Sequence, residues 1–159
     1  NGIVTYLTNL KEHVEKQGHV GFIATRDVDD SDCSGNVFDI SQDKPNRITK
    51  LFTRLRGHPQ TFLEMRQLRK LVKQLHRREV IDIIQVEDSF GFASHLVGQV
   101  PAPVVMRLHG PWALNGAANG VDVSSPGHQS RIKDELIGVL NADGISAPSQ
   151  HTIDATREY

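Results

Sequence analysis

Hydrophobic side chains recur every three or four positions along several stretches of the chain, with polar residues between them. Over residues 3–16 this spacing predicts an amphipathic α-helix that Gly18 ends. The same spacing predicts helices over residues 46–56, 59–78, 90–97 and 129–140, and a last one that begins after Ser149 and runs to Tyr159. Ser89 and Ser149 directly precede two of these helices and are predicted to cap them.

Four short apolar runs lack polar alternation, which is typical of strands buried on both faces of a sheet. They span residues 20–25, 81–86, 104–108 and 144–147. Residues 27–43 predict an acidic loop with one short strand about residues 37–40, and residues 110–123 predict a second loop. The alternation of helices and strands favours one α/β domain over residues 1–159. Its expected architecture is a Rossmann-like, doubly wound parallel sheet with helices on both faces.

Polar and small residues follow the predicted strands, where open parallel sheets bind their ligands. Candidate ligand-binding residues there are Glu87, Asp88, Gly110 and Ser149, with His109 as the candidate catalytic residue. The His109 imidazole can exchange one hydrogen bond with a sugar hydroxyl or phosphate, or instead cap the last carbonyl of its strand. Because adjacent strand residues point to opposite faces, at most one of Glu87 and Asp88 faces a ligand. A helix-capping role for this pair is the alternative.

Asn1 and Gly2 stand directly before the first amphipathic helix. A glycine lets the backbone approach a ligand closely, and a helix N-terminus offers unpaired N–H groups and partial positive charge. This arrangement suits a bound phosphate. An ordinary turn before a helix is the alternative.

Composition excludes several classes of protein. Of 159 residues, 38 % are hydrophobic and 23 % are charged, and the formal net charge is −1, so the chain is neither wholly disordered nor a polycation. No apolar run is long enough to span a bilayer. The single cysteine, Cys33, favours a reducing compartment, the cytoplasm, and no metal site is expected. A small hydrolase is disfavoured because no nucleophile motif is present, and its candidates Ser89 and Ser149 are explained as caps.

Charge is segregated along the chain. Residues 44–78 hold eleven of the eighteen Lys and Arg residues but a single acid, whereas residues 27–43 hold six Asp. The basic residues of the two helices predicted there include Arg47, Lys50, Arg54, Arg56, Arg69, Lys70 and Lys73. Such a surface suits an anionic membrane or an acidic partner. Nucleic acid is not expected, because few aromatic residues are available for base stacking. A solvated basic face, partly neutralised by the Asp-rich loop, is the alternative.

Five segments carry a family resemblance when they are taken in order along the chain. They are NGIVTYLTNL (1–10), KQGHV (16–20), IQVEDSFG (84–91), PVVMRLHGP (103–111) and NADGISAPS (141–149). Together they resemble the N-terminal domain of retaining, GT-B fold glycosyltransferases of family 4. The match adds Arg107 to the candidate substrate-binding residues. Asn1 stands where the family has the first of two glycines.

The resemblance implies an enzyme of two Rossmann-like domains, with the acceptor mainly on the N-terminal one and the nucleotide sugar mainly on the C-terminal one. The acceptor would be a carbohydrate or a lipid-linked molecule, and the nucleotide sugar would be a co-substrate, with no separate cofactor. Gly2 would approach the donor diphosphate, His109 would lie near the transferred sugar, and Ser149 would line the same crevice. The donor phosphate would receive the acceptor proton, so the main protein contribution would be electrostatic stabilisation of the leaving diphosphate.

In such enzymes a first strand precedes the glycine loop and the donor-binding domain follows this one. Residues 1–159 by themselves are therefore expected to be inactive, with catalysis belonging to a longer protein. The alternative is a stand-alone Rossmann-like binding module that docks on an anionic membrane or an acidic partner. The lack of a helix stop signal at residues 157–159 favours the truncated enzyme.

Overall fold

A computed structural model describes residues 2–26, 36–41 and 59–158, with backbone alone for residue 2 and residues 59–62. The chain divides into two compact units, Asn1–Pro45 and Asn46–Tyr159. The predicted helix over residues 46–56 lies outside the described residues, together with its basic side chains Arg47, Lys50, Arg54 and Arg56. Asn1 also lies outside them.

The first unit begins with helix α1, Gly2–Lys16. Gly18 ends this helix as predicted, with a positive φ of 87° that L side chains rarely adopt. The Gly18 N–H donates to the Glu15 carbonyl at 3.0 Å, and the His19 N–H donates to the Val14 carbonyl at 3.1 Å. These paired bonds are the Schellman motif, which satisfies two carbonyls at the helix end.

Two three-residue strands complete the described part of this unit. β1, Ile23–Thr25, pairs in parallel with β2, Val37–Asp39. β2 falls where a strand was predicted, but β1 begins three residues later than predicted. The prediction that residues 20–25 are buried on both faces is wrong, because β1 is only partly buried and Val20 is 60 % exposed. Two short strands alone have too few neighbours to cover both faces of a sheet.

The second unit holds a three-stranded parallel sheet in the order β3–β4–β5. Its elements in chain order are helix α2 (Pro59–Arg78), β3 (Ile84–Glu87), a 3₁₀ segment (Ser89–His95), β4 (Val104–Arg107), helix α3 (Trp112–Asn115), helix α4 (Pro126–Asn141), β5 (Gly144–Ser146) and helix α5 (Gln150–Arg157). The predicted α/β class, with parallel strands and Rossmann-like character, is confirmed. The described strands lie in two sheets, one in each unit.

The core of the second unit lies around the central strand β4. Its buried residues come from α2 (Met65), β3 (Val86), the 3₁₀ segment and the turn after it (Phe92, Ala93, Leu96) and β4 with its continuation (Val104, Met106, Leu108). Helix α4 approaches this core at Gly138, where a Cβ atom would lie 2.7 Å from the Met106 Cε atom and 3.5 Å from the Ala93 Cβ atom. Glycine at this position therefore allows the helix to sit directly on the sheet and the 3₁₀ segment.

The segment after β3 differs most from its prediction. A helix capped by Ser89 was predicted over residues 90–97, but the 3₁₀ segment is interrupted at Phe90 (φ 53°) and Gly91 (φ 67°). Asp88 occupies the capping position in place of Ser89, and its side chain makes no cap hydrogen bond. A Cβ atom on Gly91 would lie 2.6 Å from the Asp134 carbonyl oxygen, so the contact with α4 leaves no room for a side chain at this position.

The remaining elements differ from their predictions mainly in their bounds. α4 begins at Pro126, three residues before its predicted start, because Ser125 accepts the His128 N–H as an N-cap. The loop predicted for residues 110–123 contains the short helix α3. β3 runs from Ile84 to Glu87 instead of over residues 81–86, and Ile83, which was predicted to be buried, is 62 % exposed. β5 ends at Ser146, and its Ile145 is 43 % exposed, so the predicted burial on both faces is wrong here too.

The last helix, α5, is capped by Ser149 as predicted. The Ser149 hydroxyl accepts the Thr152 N–H at 3.2 Å. The prediction that this helix continues to Tyr159 is wrong, because α5 ends at Arg157 and Glu158 takes the C-cap position.

Truncation of Met106 to alanine tests the position of the core. Met106 is fully buried on β4 beneath Gly138, so Met106→Ala is expected to lower the free energy of unfolding by about 3 kcal/mol. Leu140→Ala is the control, since Leu140 is exposed on α4 and its truncation is expected to cost less than about 0.5 kcal/mol. Urea unfolding of both variants measures the difference. Equal losses in the two variants would contradict this core.

Candidate functional site at the carboxyl edge of the sheet

The three strands of the second unit end level with one another. Glu87 is the register partner of Arg107, and Arg107 is the register partner of Ser146. The residues predicted from the strand ends of β3 and β4 therefore meet at one edge of the sheet. The chain leaves β4 there through a loop of Leu108, His109, Gly110 and Pro111, which we call the histidine loop.

A buried carboxylate holds the start of the histidine loop. Asp88 is 3 % exposed, and its Oδ2 atom accepts the N–H of His109 at 2.9 Å and that of Gly110 at 3.1 Å. The Asp88 N–H in turn donates to the Arg107 carbonyl at 3.2 Å. Bonds between backbone N–H groups and an ionised carboxylate are about twice as strong as neutral ones. Asp88 thus positions the loop, and this use of its side chain replaces the capping role that was its predicted alternative.

A second buried carboxylate holds the other end of the loop. Glu135 on α4 is 3 % exposed, and its Oε2 atom accepts the Trp112 N–H at 2.6 Å. Its Oε1 atom accepts the Phe90 N–H at 3.2 Å and the Arg131 Nε–H at 2.9 Å. Glu135 therefore joins the histidine loop, the 3₁₀ segment and α4. Sequence reasoning missed this residue, because a glutamate in a helix is usually solvated and nothing local distinguishes it.

Arg131 balances the charge of Glu135. Its guanidinium carbon lies 3.9 Å from the centre of the Trp112 ring and 4.2 Å from that of the Phe90 ring. Two cation–π contacts and an ion pair on one arginine satisfy a charge that burial would otherwise destabilise. The loop is thus held at both ends by charged groups shielded from water.

Gly110 has the backbone geometry that the turn requires. Its φ is 133°, its carbonyl accepts the Asn115 Nδ2–H at 2.9 Å, and a Cβ atom at this position would overlap the Asn115 amide. The Leu108 N–H donates to the Ser146 carbonyl at 2.8 Å, which ties the loop to β5. Gly110 therefore contributes through the fit of its backbone, as expected for a glycine in a tight turn.

His109 lies at the surface of this fixed loop, and its ring is partly covered by the protein. Partial burial of its ring lowers the pKa of His109 below the usual range; the Asp88 charge raises this pKa and the Arg107 charge lowers it. Burial has the largest effect, so the imidazole is neutral at neutral pH. A neutral imidazole has one hydrogen-bond donor and one acceptor.

The other predicted residues take different places. Ser149 is exposed and its hydroxyl caps α5, which favours the capping explanation over a hydrolase nucleophile. Gly2 is the first residue of α1, in the other unit. On α2, Lys70 and Lys73 are exposed, whereas Arg69 is partly buried.

The described residues form neither a metal-binding group nor a membrane-spanning helix. Within the ranges 2–26, 36–41 and 59–158, no three His, Cys, Asp or Glu side chains come together as a metal-binding group. The helices of the same ranges include none with the length and apolarity needed to cross a membrane.

Comparison with known families decides the identity of this domain. The model of Glycosyltransferase Family 4 matches residues 1–159, the full length of the chain. The chain belongs to glycosyltransferase family 4. No curated protein and no solved structure matches it.

Membership of glycosyltransferase family 4 indicates which kind of reaction this domain takes part in. A domain of this family has a role in glycosyl transfer, with a sugar donor and an acceptor as substrates. The predicted resemblance is therefore confirmed for the whole chain. The histidine loop of this family 4 domain presents a neutral imidazole and a fixed backbone turn at the edge where parallel sheets bind ligands.

Removal of the Asp88 carboxylate tests whether its two hydrogen bonds hold the histidine loop. Asp88→Ala leaves two backbone N–H groups without their acceptor, so we expect a loss of about 3 kcal/mol in unfolding free energy and faster amide exchange at His109 and Gly110. Asp143→Ala is the matched control, since Asp143 accepts the Val104 N–H at 2.8 Å at the opposite end of β4. Hydrogen exchange followed by NMR measures the protection of the His109 and Gly110 amides in both variants. Equal protection in the two variants would contradict this role of Asp88.

The pKa of His109 provides a second test. NMR titration is expected to place it below the ordinary value of about 6.5, and Arg107→Gln is expected to raise it by removing a repelling charge. Because the folded-state pKa is depressed, the neutral ring stabilises the fold at high pH. This stabilisation is lost as the pH falls from the unfolded-state value through the folded one. An unchanged pKa in Arg107→Gln would contradict the electrostatic assignment.

Proposed function

We propose that this domain is the acceptor-side, N-terminal half of a GT-B enzyme that transfers a sugar from a nucleotide-sugar donor, with retention, to a carbohydrate or lipid-linked acceptor. The observation that carries the proposal is the histidine loop of a family 4 domain, held by Asp88 and Glu135 at the carboxyl edge of the sheet. Two buried carboxylates hold the backbone of this short loop and of the residue after it, which suits the positioning of a reacting sugar.

His109 is the catalytic residue in this proposal. Its neutral ring accepts a hydrogen bond from a hydroxyl of the transferred sugar, which orients the sugar and favours the positive charge that develops at the anomeric carbon. A protonated imidazole would repel that charge. The lowered pKa of His109 therefore supports this role at neutral pH.

The donor's own phosphate completes the proton balance. The bond between the anomeric carbon and the phosphate oxygen breaks, the acceptor oxygen bonds to that carbon on the same face, and the acceptor proton passes to the leaving phosphate. The protein then needs no side-chain nucleophile and no cofactor besides the nucleotide sugar. Its contribution is positioning and electrostatic stabilisation.

Gly2 is the proposed contact for the donor diphosphate. It begins α1, whose first turn contains no acidic residue to oppose an anion. The first N–H groups of a helix have no partners within the helix and carry partial positive charge, which suits a phosphate. Most of the nucleotide sugar is held by a C-terminal domain of the same protein, so residues 1–159 alone transfer no sugar. The single cysteine suits a cytoplasmic enzyme.

Transfer assays on the full natural polypeptide that contains this domain test the proposal. His109→Ala is expected to lower kcat by about 100-fold, the loss typical when one preorganised hydrogen bond to the reacting group is removed, without loss of folded protein. His13→Ala is the control, because His13 is exposed on α1 and bonds only to Gln17 among the described residues. NMR of the product's anomeric configuration tests retention.

Three results would overturn parts of this proposal. Equal kcat values in His109→Ala and the unmodified enzyme would remove the catalytic role of His109. A product of inverted configuration would remove retention. Transfer by the purified 159-residue chain would show that no donor-binding domain is needed.

A further inference from the structure

The outward face of α2 carries a continuous line of positive charge. Arg66, Lys70, Lys73 and Arg77 are all exposed and are spaced four, three and four residues apart. At about 100° per residue this spacing places them within an arc of about 60° on the helix surface. We call these four residues the basic stripe.

Packing of the opposite face fixes the direction of the basic stripe. Met65 and Val72 are buried, and Met65 and Leu68 pack in the core of the second unit. The helix therefore cannot rotate without exposing these apolar side chains. The basic stripe consequently faces away from the core.

Arg69, which the charge pattern grouped with Lys70 and Lys73, does not belong to the stripe. It is partly buried. Burial lowers the pKa of His95 at the end of the 3₁₀ segment; the Asp134 charge raises this pKa, and the Arg69 charge lowers it by a smaller amount. Arg69 thus lies on the side of α2 toward His95, at the flank of the basic stripe.

The charge of the basic stripe is not balanced within the described part of the molecule. The four residues form no ion pair with any other described residue. The one acid of α2, Glu64, is buried away from the stripe. Like charges four residues apart destabilise a helix slightly, and an anionic surface laid along the stripe would relieve that repulsion.

Exposed apolar residues follow directly after the stripe. Val80 is 73 % exposed and Ile83 is 62 % exposed, in the short connection between α2 and β3. Two exposed carboxylates, Glu79 and Asp82, lie in the same connection, so the positive charge is confined to the helix. Phe62 is the single aromatic residue among residues 59–83, which gives nucleic-acid bases little to stack on. Cations beside aliphatic side chains fit a lipid surface better.

We propose that α2 docks this domain on an anionic lipid bilayer, with the basic stripe over the headgroups and Val80 and Ile83 in the interfacial region. This contact is peripheral and is independent of the proposed transfer reaction, because it uses neither His109 nor the histidine loop. Each basic residue near an anionic surface strengthens partitioning by about fivefold.

Vesicle co-sedimentation of the purified chain tests this surface without donor or acceptor. Phosphatidylcholine vesicles with about 30 % phosphatidylglycerol are compared with phosphatidylcholine alone, and we expect binding to the anionic vesicles that weakens with added salt. The variant Lys70→Gln/Lys73→Gln/Arg77→Gln is expected to bind at least about tenfold more weakly. Val80→Ser/Ile83→Ser is expected to reduce the binding that remains at high salt, since that part is apolar.

The matched control is Lys16→Gln/Lys133→Gln/Arg157→Gln, which removes two lysines and one arginine from exposed positions elsewhere. It is expected to change binding by less than about twofold. Equal weakening in the two triple variants, or equal binding to both kinds of vesicle, would overturn the proposal. Tighter binding to a single-stranded oligonucleotide than to anionic vesicles would replace the membrane by nucleic acid. Circular dichroism verifies that each variant is folded, and none of these outcomes depends on sugar transfer.

Discussion

The carboxylate of Asp88 is the interaction on which the candidate site depends. Backbone N–H groups at the end of a central strand must find acceptors, and the turn at His109 and Gly110 directs two of them at one buried oxygen. Glu135 accepts the next available N–H along the chain, that of Trp112 directly after the loop, since Pro111 has none. The loop that presents His109 is therefore rigid because charges buried behind it hold its backbone.

This arrangement requires α4 to lie very close to the sheet. Glycines at both contact points, Gly91 and Gly138, remove the Cβ atoms that would otherwise meet the helix backbone or the Met106 side chain. The close approach brings Glu135 within reach of Phe90 and Trp112. Apolar packing between α4 and the 3₁₀ segment thus positions the polar contacts that support the site.

The second unit contains two distinct groups of charged residues, one around the histidine loop and one on the surface of α2. Asp88 and Glu135 are buried and hold the loop, and the partly buried Arg131 pairs with Glu135. Removal of any one of the three would leave a charge or an N–H group unsatisfied. The basic stripe on α2 is exposed and contributes nothing to the core. The second unit of this family 4 domain thus has a fixed polar edge and a separate cationic face.

The sequence by itself determined the elements whose signals are local. Apolar periodicity predicted α1 and α2, Gly18 and Ser149 predicted a helix end and a helix start, and ordered motifs predicted the family. Tertiary structure alone decided the left-handed turn at Phe90 and the use of Asp88 as an acceptor for the histidine loop. It also decided the hydrogen bonds that Glu135 accepts from Phe90 and Trp112. These features arise from contacts between residues 21 to 45 positions apart, which no local pattern encodes. The sequence predicts the first group of features because propensity and capping act within one turn of a helix. It does not predict the second group, because the burial of a carboxylate depends on which helix covers it.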